Sequence, residues 1–112
     1  MNIELSDDKK TLISAKDISA RFVVPHCVTE IAPGAFRNCN ELRTIDFPLS
    51  VQKIGDEAFF GCKNLTNVFI RYSSVSEIGD RAFQLCENLK SIHFPDTLHK
   101  IGSCVFSVRI AL

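Results

Sequence analysis

Thr29-Glu-Ile31-Ala-Pro-Gly-Ala35-Phe36-Arg-Asn-Cys39-Asn-Glu-Leu42-Arg-Thr-Ile45-Asp-Phe47-Pro48 recurs, with substitutions, in the stretches beginning at Gln52 and Ser76. Ile31, Ile54, Ile78 and Ile101 are separated by 23, 24 and 23 residues, and Phe36, Phe59, Phe83 and Phe106 keep the same spacings. Ala35, Ala58, Ala82 and Val105 form a third column. Others run through Cys39, Cys62 and Cys86, through Leu42, Leu65 and Leu89, and through Ile45, Val68 and Ile92. A unit of this length cannot bury its apolar residues alone. Stacking copies buries them in one continuous core, so a fixed period of this size predicts a solenoid.

Within a repeat, Leu42-x-x-Ile45-x-Phe47-Pro48 is β-branched and aromatic. It reads as a short strand stopped by a proline that has no N–H for a ladder. Val51-x-x-Ile54 reads as a second short extended leg, and Gly55 or Gly79 as the residue that turns the chain. Asp56 and Asp80, with Ser103 in the equivalent slot, sit where they would cap a brief helical turn carrying Ala58-Phe59 and its copies. Pairing each strand with its copy, about 4.8 Å away, gives a parallel sheet along one side of the coil.

The unit Cys-x-x-Leu-x-x-Ile-x-Phe-Pro-x-x-Val-x-x-Ile-Gly-x-x-Ala-Phe stands at Cys39 to Phe59 and at Cys62 to Phe83. An eroded copy from Cys86 to Phe106 has Leu98 for valine and Val105 for alanine. This pattern resembles the leucine-rich repeat of the BspA-like (Treponema-type) class over roughly residues 22–112. The resemblance implies a leucine-rich-repeat solenoid with a short parallel β-sheet on one face, and short β legs and helical turns on the other. It also implies a role among surface or secreted interaction proteins of mucosal bacteria and protozoan parasites, often discussed as adhesins. A fold does not by itself fix a function.

The ends depart from the pattern. Phe22-Val23-Val24-Pro25 fits the strand column of Ile45 to Pro48, so a partial repeat begins there. Before it, Ile3-Glu-Leu5, the polar turn Ser6 to Lys10 and Thr11 to Ser14 read as a hairpin. Residues 1–21 are thus expected to cap the N-terminal end of the core, and 22–112 to form the repeats. At the other end, Phe106 to Leu112 carries Arg109 in the cysteine column and stops at the leucine column. Either the last rung presents apolar surface and an unpaired edge that invites homo-oligomerisation, or the sequence is truncated there.

Bulk composition narrows the function. Thirteen basic against thirteen acidic residues leave no net charge, so neither nucleic acid nor an anionic membrane is suggested as a partner. No stretch approaches the roughly 18 apolar residues of a membrane span. Residues 1–10 lack a signal-peptide core, which points to the cytoplasm, while the resemblance points to the cell surface.

No constellation for catalysis emerges. Three of the five cysteines share one column, which predicts buried thiols used as small apolar groups; Cys27 and Cys104 fall outside it. No Cys/His spacing fits zinc, and His26, His93 and His99 form no triad with a serine and a carboxylate. The glycines never make a phosphate loop, and Asp7 and Asp8 read as a solvated hairpin tip. The sequence implies no enzyme, metal or cofactor.

Variation between repeats is more informative. Four strands are expected, with Val23, Asp46, Phe69 and His93 as the central exposed column. The flanking columns are Thr44, Asn67 and Ser91, and Arg43, Thr66 and Lys90. Variable positions on a recurring scaffold are where repeat proteins recognise partners. Phe69 is the expected aromatic anchor. The 24-residue repeat holds one extra residue in Ile70-Arg71-Tyr72-Ser73-Ser74-Val75, which should bulge and carry Tyr72 to the rim near Phe69. Asp46, Phe69, His93, Thr44, Asn67, Ser91 and Tyr72 are therefore the expected contacts to a protein or glycan partner. The column Glu30, Lys53, Glu77, Lys100 alternates in sign and reads as register-setting structure.

Overall fold

The computed structural model describes residues 2–106. The chain winds into a parallel β-solenoid in which each turn contributes to two sheets. On one side stand β3 (Arg21–Val23), β5 (Thr44–Asp46) and β7 (Asn67–Phe69), in that order. Their parallel register places Phe22 opposite Ile45 and Ile45 opposite Val68, while Val23, Asp46 and Phe69 share the outward column.

The second legs form the longer sheet. β4 (Glu30–Ile31), β6 (Lys53–Ile54), β8 (Glu77–Ile78) and β9 (Lys100–Ile101) pair in parallel, with the isoleucines in register. At its head, β1 (Asn2–Leu5) and β2 (Thr11–Lys16) make the expected hairpin. β2 is also a rung in its own right. It pairs in parallel with β4, setting Leu12 against Ile31, so the isoleucine column starts with a leucine. A register shift between Glu4 and Leu5 bends β1, the outermost strand, a device that discourages further edge pairing.

The hairpin tip is built by short polar bonds. Asp8 Oδ1 accepts from Ser6 Oγ at 2.7 Å and from the Lys10 N–H at 3.0 Å. The Lys10 amide, and then the Ser6 hydroxyl, hold the Asp8 carboxyl below its ordinary range.

The third side of the coil corrects two expectations. No helix occurs among the described residues; residues 55–62 form successive turns, with Ala58 N bonded to Gly55 O, Phe60 N to Glu57 O and Cys62 N to Phe59 O. The intervening amides point away to the next rung, Phe59 N to Ala82 O and Gly61 N to Gln84 O. A helix needs every amide to return to its own segment, and here alternate amides bind the neighbouring copy. Left-handed residues also break helical propagation. Gly34, Glu57, Arg81 and Cys104 form one column at positive φ (67°, 56°, 57° and 53°), and Asn38, Gly61 and Leu85 a second (58°, 74° and 61°). The aspartates therefore cap the next rung: Asp56 Oδ1 accepts from Asp80 N at 2.8 Å, and Asp80 Oδ1 from Ser103 N at 2.9 Å.

Gly55, Gly79 and Gly102 are likewise required by stacking, not by turning. A Cβ at Gly79 would lie 2.7 Å from the carbonyl carbon of Gly55, and one at Gly102 would lie 2.7 Å from that of Gly79. Backbones of successive rungs approach there without room for a side chain.

The core is one column of rings with aliphatic flanks. Phe36 stacks on Phe59 at 4.8 Å, Phe59 on Phe83 at 5.1 Å and Phe83 on Phe106 at 5.7 Å, all within 14° of coplanar. Phe22 closes the upper end edge-on to Phe36 at 5.5 Å. Leu42, Leu65, Ile45, Val51, Ile54 and Val75 pack around the stack with no exposed surface. Tail positions such as Arg109 and Leu112, on which the expectation of an open end rested, lie outside the described residues.

Candidate recognition groove

Six of the seven expected contact residues line one groove of about 440 Å³ on the shorter sheet: Asp46, Asn67, Phe69, Tyr72, Ser91 and His93. Thr44 lies outside it; this half-buried residue in β5 donates its amide to Ala20 O. The floor consists of Phe47, Val68, Ile70 and Ile92, all members of the buried columns.

The groove opens where the ladder stops. Four strands are expected on this side and three form among the described residues. Ser91 keeps an isolated bridge position, and 92–94 are irregular. His93 is exposed there, out of strand register with Asp46 and Phe69.

The 24-residue repeat shapes the other wall. In rungs of 23 residues a proline fixes the turn, as where Val28 N bonds to Pro25 O. In the longer rung Arg71 stands in the proline column, Ile70 is buried in the column of Phe47, and Ser73 N closes the turn onto Ile70 O. Ser73 is also buried; its hydroxyl donates to Ile70 O at 2.7 Å and accepts from Val75 N at 3.3 Å, so the widened turn is filled and its polar groups are satisfied. The surplus residue pushes Tyr72 outward to 81% exposure, beside Phe69 at 55%.

Charge in the groove is unevenly compensated. Asp46 accepts from Arg21 Nη2 at 2.5 Å and from Nε at 3.2 Å, so the expected contact carboxylate is already engaged by the preceding strand. Arg71 has no such partner among the described residues, and its guanidinium carbon lies 5.5 Å from the Tyr72 ring centre. The sequence reading passed over both arginines. Arg21 was legible, because aligning Arg21-Phe22-Val23 with Thr44-Ile45-Asp46 puts Arg21 and Asp46 on a cross-strand diagonal. Arg71 was not, because its importance comes from the bulge.

Elsewhere the repeated polar residues are structural. Thiols of Cys39, Cys62 and Cys86 donate to carbonyls of the rung before, Ala15 O, Phe36 O and Phe59 O. Burial, with the neighbouring Cys62 and Glu41, pushes the Cys39 thiol up to about 12, and the contact with Cys86 together with burial raises that of Cys62 further. Such thiols are poor nucleophiles. Asn64 and Asn88 donate to Asn40 O and Lys63 O, both at 2.7 Å, an inter-rung asparagine ladder that the sequence reading did not single out. In the alternating charge column Lys100 reaches Glu77 at 3.6 Å. No cluster of three or more His, Cys, Asp or Glu side chains suited to a metal occurs among the described residues.

A parallel solenoid of 23–24-residue turns with a variable sheet face defines the leucine-rich-repeat class. Residues 15–111 match the family model described as BspA type leucine rich repeat region (6 copies), and the chain belongs to this family. Among solved structures it is similar to the T. pallidum leucine rich repeat protein, with 31% identity and a TM-score of 0.81, covering 93% of this chain and 51% of that one. A leucine rich cell surface protein from Faecalibacterium prausnitzii A2-165 matches at 29% identity and TM-score 0.83, covering 94% of this chain and 28% of that one. The pneumococcal vaccine antigen PcpA matches at 25% identity and TM-score 0.80, covering 88% and 24%. The chain thus spans about half, or less, of the length of these neighbours. None of the curated proteins matches it. No helix among the described residues is long and apolar enough to cross a membrane.

Proposed function

We propose that the chain is a non-catalytic protein-recognition module that meets its partner through the groove on the shorter sheet. The observation that carries this reading is the pair of exposed rings, Phe69 and Tyr72, set together over an apolar floor by the one irregular repeat. Large aromatic side chains are costly to leave in water, and they are the type that anchors interfaces. The repeat family supports an interaction role, and the cell surface description of the F. prausnitzii neighbour is the basis for proposing display outside the cell. The face is small. Three short strands at about 4.8 Å spacing offer less than the roughly 800 Å² per partner of a standard interface, so weak or multivalent binding is expected.

The test is affinity capture from cell lysates and conditioned medium with the wild-type chain, the Phe69→Ala/Tyr72→Ala double variant and Ile13→Ala as a surface control. Proteins retained by wild type and Ile13→Ala but lost from the double variant support the reading. An unchanged set on the double variant, with its circular dichroism spectrum intact, would place recognition on another face.

A further inference from the structure

We infer that the ligand of this groove is an extended peptide segment of a partner protein in which an apolar or aromatic side chain stands next to a carboxylate; this rests on the recognition reading above. The first argument is charge. The chain is neutral overall, yet Arg21 in β3, Arg43 just before β5, Lys90 beside the bridge residue Ser91 and Arg71 in the bulge stand along the shorter sheet, whose strands hold the single carboxylate of Asp46. Asp46 is bound by Arg21 at 2.5 Å, which removes the one anion that would repel an acidic ligand. Arg71 has no ion-pair partner among the described residues, and its guanidinium lies over the Tyr72 ring at 5.5 Å on the groove wall. A guanidinium held against an aromatic face is a ready donor to a carboxylate, and its charge favours that acceptor over a neutral one.

The second argument is the shape of the apolar surface. A floor of Val68, Ile70 and Ile92 between the exposed Phe69 and Tyr72 rings takes a side chain out of water. A volume of about 440 Å³ accommodates one or two side chains and not a folded element. The polar groups available for a sugar are few. Asp46 is occupied, the Asn67 amide turns to Thr66 Oγ1 at 3.4 Å, and Arg71, Ser91 and His93 remain. Sugars present hydroxyls around their whole rim and leave them unsatisfied over such a floor. Leu49, 71% exposed, stands at the position aligned with Tyr72 one rung earlier and offers a further apolar contact to an extended chain.

The experiment is an amide NMR titration of the full chain with four probes. These are a Gly/Ser-flanked peptide containing Asp-Phe-Glu, the same peptide with Lys-Phe-Lys, the same with Asp-Gly-Glu, and sialyllactose. The expected result is saturable shifts at Phe69, Arg71, Tyr72 and His93 with the first peptide alone. Its affinity should weaken about tenfold in Arg71→Glu, the size of one lost charge-assisted hydrogen bond, with the amide spectrum otherwise unchanged. Equal binding of the Lys-Phe-Lys peptide in the groove overturns the acidic ligand and leaves the recognition face standing. Equal binding of Asp-Gly-Glu overturns the apolar anchor, and tighter binding of sialyllactose at these residues overturns the peptide in favour of a glycan. An affinity unmoved by Arg71→Glu removes the proposed contact. No shift at the groove with any probe counts against both readings.

Discussion

The two sheets of this solenoid come from the same repeat and end differently. The longer one runs unbroken from β1 through β9, with two-residue strands from β4 onward, Ile31, Ile54 and Ile78 inward and charges of alternating sign outward. The shorter one has three-residue strands, stops at β7 and leaves a groove. On the longer side rungs approach at backbone contact through Gly55, Gly79 and Gly102, and little can vary. On the shorter side Val23, Asp46 and Phe69 occupy one outward column without a common chemistry. A repeat can thus divide its labour by face: one leg holds register and the other is free to differ.

Both faces depend on the ring stack between them, so its removal should have the largest effect. Phe59 touches Phe36, Phe83 and Phe47 and has no exposed surface. Phe59→Ala is expected to cost about 3–5 kcal/mol, a large share of the stability of a domain this size. Chemical denaturation followed by circular dichroism measures it. A loss below about 1 kcal/mol would mean that the two sheets are held by separate cores.

Much of this was legible because a core column must recur to be a core. Ile31, Phe36, Leu42 and Ile45 and their copies announce the coil, its parallel sheets and its inward faces. Backbone requirements were less visible. Seven residues share two left-handed columns, but only Gly34, Gly61 and Asn38 are types that advertise such a conformation; Glu57, Arg81, Leu85 and Cys104 do not, and the amides of Glu57 and Arg81 bind Asp80 O and Ser103 O of the next rung. Asp56 looked like a helix cap because its spacing to the turn is that of a cap, whereas its acceptor role is spent one rung on. At the candidate site, Phe69 and Tyr72 were legible as departures from the pattern. Arg71 and the end of the ladder at β7 were not, since neither recurs from rung to rung.

The contrast between tight and free faces predicts a second, smaller effect. Gly79→Ala puts a methyl 2.5 Å from the Asp56 amide nitrogen and 2.7 Å from the Gly55 carbonyl carbon, so backbone must move. About 1–3 kcal/mol of destabilisation is expected from such overpacking. Asn67→Ala, on the exposed side of β7, should stay within about 0.5 kcal/mol of wild type. Equal losses for the two variants in thermal or urea unfolding would break the division by face.

The smallest effect sharpens the comparison most, because it separates stability from recognition. Lys53 stands in register between Glu30 and Glu77 on the longer sheet. Lys53→Glu would place three carboxylates in adjacent rungs and replace two attractive neighbours by repulsive ones. Each neighbouring pair is worth roughly 0.2–1 kcal/mol, and these positions are solvent-exposed or half-exposed, so the loss should sit at the low end and shrink as salt rises. Peptide binding at the groove should be untouched by this variant, while Arg71→Glu should change binding and leave the unfolding midpoint alone. That crossed pattern distinguishes a register column from a ligand contact among residues of the same charge. If Lys53→Glu weakened groove binding as much as Arg71→Glu does, the two faces would be coupled through the rungs, and the shorter sheet could not vary independently of the longer one.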